Sequence, residues 1–169
     1  NSAAEINKKI VDLIADKSQK YIKLGDKYFY IGAKVMQTDN NYEKNVFNGE
    51  IGYITNIEER IEDNEKNTYF TVTYKMNDTV KRVEYKRNEL EQIDLAYAVT
   101  CHKCQGGGYQ NVIVIIDMTH YTLLDTCMLY TAITRAKKRC LLLAEPAAFK
   151  MSMQNNKSRN RQTWLSLMR

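Results

Sequence analysis

Apolar residues in the first part of the chain recur at helical spacing. The stripe consists of Ile6, Ile10, Leu13 and Ile14, with charged residues on the opposite side. This pattern predicts an amphipathic helix over residues 4–17, and Ser2 with Glu5 three residues later has the spacing of a capping box at its start. After a polar loop, residues 28–37 predict a strand pair or one bent strand.

The middle of the chain changes to the two-residue alternation of β-strands. Asn48 and Gly49 form a tight-turn signal, and strand-like segments follow at residues 51–57, 68–74 and 80–85. The polar segment 58–67 predicts a mobile loop or a hairpin tip between two of these strands. Several short antiparallel strands within about 45 residues favour a small β-barrel.

From residue 95 onward the pattern is that of an α/β protein. Residues 97–100 predict a short strand that ends in a glycine-rich loop, and NVIVII at 111–116 is the uninterrupted apolar run of a strand buried on both faces. Residues 123–137 predict a helix, and CLLLA at 140–144 predicts a second buried strand. Strand, helix and strand in this order predict a βαβ unit with parallel strands. The fold class is therefore α/β, with the small barrel as an insertion.

The composition agrees with a globular protein. The chain has 169 residues, of which 44% are hydrophobic and 27% charged, and this length suits one domain or a domain with a small insertion. No apolar run approaches the roughly 18 residues that a membrane span needs, and the first residues lack the basic-then-apolar order of a secretion signal. An intracellular location without a membrane partner is expected. The net charge of +5 is compatible with a nucleic-acid partner without requiring one.

Cys101 and Cys104 stand at CxxC spacing, so a zinc site or a redox pair must be considered. Four ligands close a structural zinc site, and the sequence holds no second CxxC or HxxxH pair. Three glycines just after the pair also differ from the strand-CxxC-helix context of redox proteins. Cys127 and Cys140 lie in apolar patterns, where a thiol is a small core residue. No metal site is expected.

Two segments carry the candidate chemistry. Residues 100–108, TCHKCQGGG, follow a predicted strand, where a glycine-rich turn presents backbone N–H groups that suit a phosphate. Residues 130–139, YTAITRAKKR, place Thr131 and Arg135 four positions apart on one helical face. Each segment has a simpler interpretation: a solvated turn for the first, and basic residues that complement a helix dipole for the second. The sequence contains neither a Walker A motif nor a hydrolase triad.

Taken together, the two segments resemble the last two conserved motifs of superfamily-one helicases. AYAVTCHKCQGGGYQNVIV followed by LYTAITRAKKRCLLL matches in spacing and in flanking strands, and HKCQG resembles the RecD-like class that moves 5′ to 3′ on DNA. Upstream, KVMQTDNNY at 34–42 and VFNGEIG at 46–52 are similar to the segment of this family that leads into an SH3-like insertion. The resemblance covers nearly the whole chain.

The resemblance implies the second RecA-like motor domain of a helicase, a parallel sheet with helices, carrying a small inserted SH3-like β-barrel. Residues 1–47 would form the first part of the RecA-like domain, residues 48–93 the inserted barrel, and residues 94–169 the rest of the RecA-like domain with the last two helicase motifs. Basic residues of the barrel would lie along the path of the nucleic acid; they are Lys81, Arg82, Lys86 and Arg87. Its aromatic residues are expected mainly in the core rather than stacked on bases; they are Tyr69, Phe70, Tyr74 and Tyr85.

The same resemblance implies ATP hydrolysis with Mg²⁺ in a cleft between two motor domains. The first motor domain, absent from this chain, would supply most of the nucleotide site, so the chain alone would be inactive as an ATPase. Arg135 would be the catalytic arginine finger, and Gln105 and Gly106 would bind ATP with it. The partner would be single-stranded DNA, contacted by Thr100, His102, Lys103, Asn48 and Thr131.

One departure from the family pattern concerns the nucleotide site. Family members often carry a Glu two positions after the Gln-Gly pair, where it helps to hold the nucleotide, and this chain has Gly108 there. A ribose contact from this position is therefore in question.

Two other functions stay open at this point. One is a non-catalytic nucleic-acid-binding or regulatory module that retains the helicase fold. The other is a helicase-like domain that serves a relaxase or a nuclease.

Overall fold

The computed structural model describes residues 2–16, 18–62, 64–76, 79–104 and 107–155. The chain divides into two compact units, residues 1–100 and residues 101–169. The first unit contains α1 (Ala3–Ile14), β1 (Tyr21–Leu24), β2 (Lys27–Tyr30), β3 (Lys34–Gln37), β4 (Ile51–Glu62), β5 (Glu65–Met76), β6 (Thr79–Lys86), a 3-10 helix (Arg87–Gln92) and β7 (Ile93–Leu95). The second contains β8 (Tyr109–Ile116), a 3-10 helix (Met118–Leu123), α2 (Thr126–Ile133), β9 (Ala136–Ala144) and α3 (Pro146–Gln154).

Helix α1 begins with the predicted capping box. Ser2 Oγ accepts a hydrogen bond from the backbone N–H of Glu5 at 3.2 Å, and the Glu5 carboxylate accepts one from the backbone N–H of Ser2 at 2.8 Å. These two bonds satisfy N–H groups that a helix start leaves unpaired. The helix ends at Ile14, earlier than the predicted residue 17, because Ala15 adopts an extended conformation.

The buried face of α1 differs from the predicted stripe. Its buried residues are Asn7 and Val11, whereas Leu13 is 84% exposed and Ile14 is 60% exposed. Asn7 is buried where its side-chain amide binds the end of β7 and the residues that follow it. It donates to the carbonyl oxygens of Leu95 at 3.1 Å and Ala98 at 2.8 Å, and it accepts from the N–H of Ala98 at 2.8 Å.

Five strands of the first unit form one antiparallel sheet in the order β6-β5-β4-β3-β7. The predicted strand segment 28–37 is two separate strands: β2 pairs with β1, which the sequence pattern did not predict, and β3 lies between β4 and β7. The sheet therefore includes strands on both sides of the predicted barrel segment 48–93.

The polar segment 58–67 belongs to a long hairpin. Strands β4 and β5 stay paired as far as Glu62 and Glu65, so the hairpin alternative is right and the loop alternative is wrong. Contacts between polar side chains, within β4 and between strands, hold this end together. Arg60 forms ion pairs with Glu58 and with Glu84 of β6, Lys66 pairs with Glu59 at 2.9 Å, and the Tyr69 hydroxyl donates to Glu62 at 2.6 Å.

Aromatic residues fill the core of the first unit, as the sequence predicts. Tyr69 is 4% exposed, Phe70 is 1% exposed, and Tyr74 and Tyr85 are fully buried. The rings of Phe70 and Tyr85 stack with their centroids 5.2 Å apart. The hydroxyls of Tyr74 and Tyr85 lie 2.9 Å apart, and Tyr85 donates to the side-chain oxygen of the buried Gln37 at 3.0 Å. The buried hydroxyls are thus hydrogen-bonded, as buried polar groups require.

The second unit confirms the predicted parallel βαβ arrangement. β8 and β9 pair in parallel, and α2 connects them. The helix is shorter than the predicted 123–137: Asp125 caps its start by accepting from the N–H of Met128 at 2.7 Å, and β9 begins at residue 136. The strand predicted at 97–100 is wrong, since those residues lie outside any strand and follow β7.

The sheet of the second unit is covered on one face. Val114 and Ile116 are buried against residues of α2 and α3, including Leu129 and Ala148. Large aliphatic residues on the opposite face are between 49% and 63% exposed; they are Ile113, Ile115, Leu141 and Leu143. The prediction that β8 and β9 are buried on both faces is therefore wrong for the part of the chain that the structure describes.

The three α-helices that the structure describes are 12, 8 and 9 residues long. Within this described part, no helix is both long enough and apolar enough to cross a membrane.

Candidate functional site

Arg135 lies in the turn between α2 and β9. The helix ends at Ile133, and Thr134 keeps a helical backbone conformation before the chain extends. The backbone carbonyl of Arg135 accepts a hydrogen bond of 2.8 Å from the N–H of Tyr109 at the start of β8. The main chain thus fixes Arg135 beside the glycine-rich segment.

The guanidinium of Arg135 links the two segments that the sequence singles out. Nη1 donates to the carbonyl oxygen of Gly107 at 2.9 Å, Nε donates to the carbonyl oxygen of Thr131 at 3.1 Å, and Nη2 donates to the Thr134 hydroxyl at 3.4 Å. Thr131 therefore lies next to Arg135 as its i, i+4 spacing indicates, although it acts here through its carbonyl. A guanidinium has five N–H groups, and these bonds use three of them within the described residues.

Two glycines give the loop before β8 its close contacts. A Cβ atom on Gly107 would come within 3.1 Å of the Tyr109 hydroxyl, and one on Gly108 would come within 2.8 Å of Cε of Lys137. The stem of Lys137 therefore lies over the backbone of Gly108. Lys137 was predicted in the last turn of the helix, but it belongs to β9. Its proximity to the loop follows from the register in which β9 pairs with β8, where Ala136 lies opposite Tyr109.

Burial controls the electrostatics next to Arg135. Desolvation raises the pKa of the Cys101 thiol, the neighbouring Cys104 raises it further, and the Arg135 guanidinium opposes both effects. Desolvation likewise raises the pKa of the Tyr109 hydroxyl, and Arg135 again lowers it in part. Both groups are therefore neutral near pH 7, which leaves the positive charge of Arg135 uncompensated by them.

The two thiols of the CxxC segment bind the backbone. Cys101 Sγ donates to the carbonyl oxygen of Met128 at 3.7 Å, and Cys104 Sγ donates to that of Cys101 at 3.0 Å. Among the described residues, no group of three or more His, Cys, Asp or Glu side chains is arranged to hold a metal ion. These contacts suit small, partly buried core residues.

The remaining predicted site residues fall into three groups. His102 and Lys103 are exposed in the turn before the glycines. Gln105 and Gly106 lie outside the described residues. Thr100 and Asn48 belong to the first unit, where both are exposed. The structure thus brings Thr131 and Arg135 together with the glycine-rich loop.

Asn48 lies on a loop that backbone hydrogen bonds hold in place. Its N–H donates to the side-chain oxygen of Asn40 at 2.9 Å, and the N–H of Gly49 donates to the carbonyl oxygen of Gln37 at 2.9 Å. Gly49 has a φ of +91°, a conformation that glycine adopts without strain. The tight turn predicted at these two residues is confirmed.

The arrangement around Arg135 suits a phosphate group. A guanidinium presents planar pairs of donors that match phosphate oxygens, and that of Arg135 lies at the glycine-rich loop, beside Gly107. Arg135 is partly buried, which strengthens its interaction with an anion relative to a fully solvated side chain.

Two family models match the chain. Residues 6–80 match the SH3 domain of ATP-dependent RecD-like DNA helicases, and residues 95–143 match the C-terminal domain of UvrD-like helicases. The two matches cover separate parts of the chain, in the order that the sequence resemblance indicates.

Several known proteins are similar to most of the chain. The RecBCD enzyme subunit RecD of Buchnera aphidicola is 34% identical over 146 residues, which is 85% of this chain and 23% of that protein. The ATP-dependent RecD2 DNA helicase of Deinococcus radiodurans is 30% identical over 121 residues, which is 72% of this chain and 15% of that protein. The chain therefore spans less than a quarter of the length of these relatives.

The crystal structure of a Pif1 helicase from Bacteroides, in complex with ADP-AlF3 and single-stranded DNA, has a similar fold. Its TM-score is 0.50 at 18% sequence identity, and the similarity covers 99% of this chain and 42% of that one. At this level of identity the likeness concerns the fold alone.

Proposed function

Since the chain belongs to the RecD-like family of DNA helicases, we propose that it forms the second, C-terminal motor domain of an ATP-dependent helicase that moves along single-stranded DNA. The observation that carries this proposal is the position of Arg135, whose guanidinium lies against the glycine-rich loop at Gly107. The two segments that resemble helicase motifs meet at this residue.

In this proposal Arg135 is the arginine finger. Charge that develops on a transferred phosphoryl group is stabilised by a guanidinium placed beside it, an effect of roughly 10³–10⁵ in rate in other enzymes. The hydrogen bonds to Thr131 and Gly107 hold the side chain in a defined orientation before a nucleotide binds. A finger that is already oriented loses less conformational entropy when it engages a phosphate.

ATP and Mg²⁺ are the cofactors that this function requires. The donor set around Arg135 fits the phosphate end of a nucleotide, and Gln105 and Gly106 would complete this side of the nucleotide site. The metal and most of the nucleotide would be held by a first motor domain, while this chain would supply Arg135 and the glycine-rich loop; its described residues hold no cluster of carboxylates that could bind a metal ion. We therefore expect the 169-residue chain alone to lack ATPase activity.

The DNA contacts belong to exposed polar residues on both units. His102 and Lys103 are exposed beside the loop, and Thr100 and Asn48 are exposed in the first unit. Groups of this kind bind phosphates and sugars, so binding without sequence preference is expected. Movement in the 5′ to 3′ direction and an intracellular location are part of the same proposal.

In the same arrangement, residues 1–47 and 94–169 would form a RecA-like domain, and residues 48–93 would form an inserted SH3-like barrel. Strand β3 lies before the barrel segment and β7 begins at its last residue, Ile93, and both pair into the sheet of that segment. At these two strands the chain would pass from the host domain into the inserted barrel and back.

The deciding experiment is ATP hydrolysis by the complete protein that contains this chain, measured with and without single-stranded DNA. DNA should stimulate hydrolysis, and Arg135→Ala should reduce the stimulated rate by at least 10³-fold, in line with other arginine fingers, while DNA binding persists. Arg139→Ala is the matched control, because Arg139 is an exposed arginine of β9.

Three outcomes would contradict parts of this proposal. A rate that does not respond to DNA or to Arg135→Ala would favour a non-catalytic binding module. Cleavage or nicking of DNA by the complete protein, lost with Arg135→Ala, would favour a motor that serves a relaxase or nuclease. Robust hydrolysis by the 169-residue chain alone would show that the first motor domain is unnecessary.

A further inference from the structure

An exposed aromatic pair lies on the loop between β3 and β4. The ring of Tyr42 is 76% exposed and that of Phe47 is 39% exposed, and they meet edge to face with centroids 6.0 Å apart. Other aromatic residues of the sheet, such as Phe70, Tyr74 and Tyr85, are buried. The two rings are therefore not part of the hydrophobic core of this unit.

The loop that carries the pair is fixed by hydrogen bonds. Asn41 and Val46 form a two-way backbone bridge, at 2.7 Å and 2.9 Å, across the turn that contains Tyr42. Val46 is fully buried, so it anchors the loop and directs the next residue, Phe47, outward. The side chain of Asn41 accepts from the N–H of Lys44 at 3.0 Å and donates to Gln92 at 3.1 Å. A rigid loop that displays large apolar rings is typical of a binding surface, since exposing them on an ordered backbone gains nothing for folding.

Polar groups and one basic side chain lie beside the pair. Lys81 of β6 donates to the backbone carbonyl of Asn45 in the same turn. Asn48 follows Phe47, is exposed, and its side-chain amide makes no hydrogen bond within the described part of the chain. A ring for stacking, an amide for hydrogen bonds and an ammonium group for a phosphate together match a nucleotide unit of a single strand. A protein-docking surface would instead present a broader apolar area with few charges at its centre.

We propose that Tyr42 and Phe47 form a stacking platform for a base of single-stranded DNA, with Asn48 and Lys81 beside it. This inference rests on the proposed function, which supplies the single strand. Every base has a π-face, so the platform binds without sequence preference and adds affinity that the phosphate contacts do not supply. In this unit the stacking surface would be this exposed pair and not the aromatic residues that are buried in the core.

The test compares two oligonucleotides of equal length on the complete protein, one of thymidines and one of abasic residues with the same phosphates. Fluorescence anisotropy would give the Kd of the wild type, Tyr42→Ala, Phe47→Ala and Tyr42→Trp. Tyr42→Ala is expected to weaken thymidine binding on the order of tenfold, since one stacking contact is lost, and to leave abasic binding unchanged. Tyr42→Trp should restore the affinity.

Tyr21→Ala is the matched control, because Tyr21 is 52% exposed in the same unit but on β1. Unchanged thymidine binding by both Tyr42→Ala and Phe47→Ala, in a protein that binds DNA, would overturn the platform alone. Equal losses on both oligonucleotides would also overturn it, since they indicate a phosphate contact or a distorted loop. A wild type that binds neither oligonucleotide would instead overturn the proposed function.

Discussion

Nη1 of Arg135 donates a hydrogen bond of 2.9 Å to the carbonyl oxygen of Gly107, a residue 28 positions earlier in the sequence. The backbone of the same arginine accepts from the N–H of Tyr109. Side chain and main chain thus attach the glycine-rich loop to the turn after α2. The position of Arg135 and the conformation of the loop are therefore coupled.

Removal of the Arg135 guanidinium should loosen this loop. Arg135→Ala deletes the bonds to Gly107 and Thr131, and we expect it to destabilise the second unit by about 1–3 kcal/mol, the usual cost of losing hydrogen bonds to a charged group. Hydrogen exchange should speed up in peptides that cover residues 101–116. Arg139→Ala, on the exposed part of β9, should leave exchange unchanged. Equal exchange in the two variants would show that the loop does not depend on Arg135.

Two glycine positions should respond differently to an added methyl group. A Cβ atom on Gly52 would lie 2.7 Å from Cγ1 of Val72 and 2.8 Å from the backbone oxygen of Thr73, so Gly52→Ala forces strands β4 and β5 apart. We expect a loss of about 1–3 kcal/mol in the free energy of unfolding, as for overpacked cores.

Gly108→Ala is the contrasting variant. Its Cβ would meet the flexible stem of Lys137, which can move aside, so the expected change is within about 0.5 kcal/mol. Urea denaturation followed by circular dichroism would compare both variants with the wild type. A Gly108→Ala variant as unstable as Gly52→Ala would show that the Lys137 side chain cannot move aside.

The sequence predicted those features that depend on neighbouring residues. The apolar runs at 111–116 and 140–144 identified β8 and β9 and their parallel pairing. Thr131 and Arg135 came together as their spacing indicates, because the helical conformation persists through Thr134 even though α2 ends at Ile133.

Features that depend on distant partners were not predictable. The composition of the polar segment 58–67 allowed both a loop and a hairpin tip. The pairing of β4 with β5 decides for the hairpin, and the contact of Arg60 with Glu84 across β5 exists only once the strands are in register. Similarly, α1 buries Asn7 rather than Leu13, because the partners of Asn7 lie 88 and 91 residues away.

The three hydrogen bonds of Asn7 make it a strong determinant of stability. Asn7→Ala would leave the carbonyl oxygens of Leu95 and Ala98 and the N–H of Ala98 without their partner, and we expect a loss of about 2–4 kcal/mol. Asn7→Asp should also destabilise, because it places an oxygen against two carbonyl oxygens. Lys8→Ala, at the exposed neighbouring position, is the control for helix α1. Thermal unfolding would rank the three variants, and an Asn7→Ala protein as stable as Lys8→Ala would contradict the structure.

The four cysteines should separate into two classes of reactivity. Cys127 and Cys140 are exposed, so the prediction that they are core residues is wrong. Cys104 is buried, and Cys101 is partly buried with a raised pKa. The thiolate is the reactive form, so a raised pKa reduces the reactive fraction of Cys101 at pH 8. Iodoacetamide labelling followed by mass spectrometry should modify Cys127 and Cys140 first, and labelling of Cys101 should require a higher pH. Rapid modification of Cys101 at pH 8 would show that its surroundings are open to solvent.

The buried hydroxyls of the first unit should make stability fall at high pH. Burial raises the pKa of Tyr85 to about 12, from an ordinary value of 10.0, and burial also raises the pKa of Tyr74. A raised pKa means that folding favours the protonated phenol, so this contribution is complete below pH 10 and is lost as the pH rises from 10 toward 12. For Tyr85 alone the loss by pH 11 is about 1 kcal/mol.

Urea denaturation at pH 8, 10 and 11 should show this decline in stability in the wild type and a smaller decline in Tyr85→Phe, which has no hydroxyl proton to lose at this position. Parallel declines in the two proteins would mean that the titration of Tyr85 is not what weakens the fold, and other groups would then have to ionise in this range.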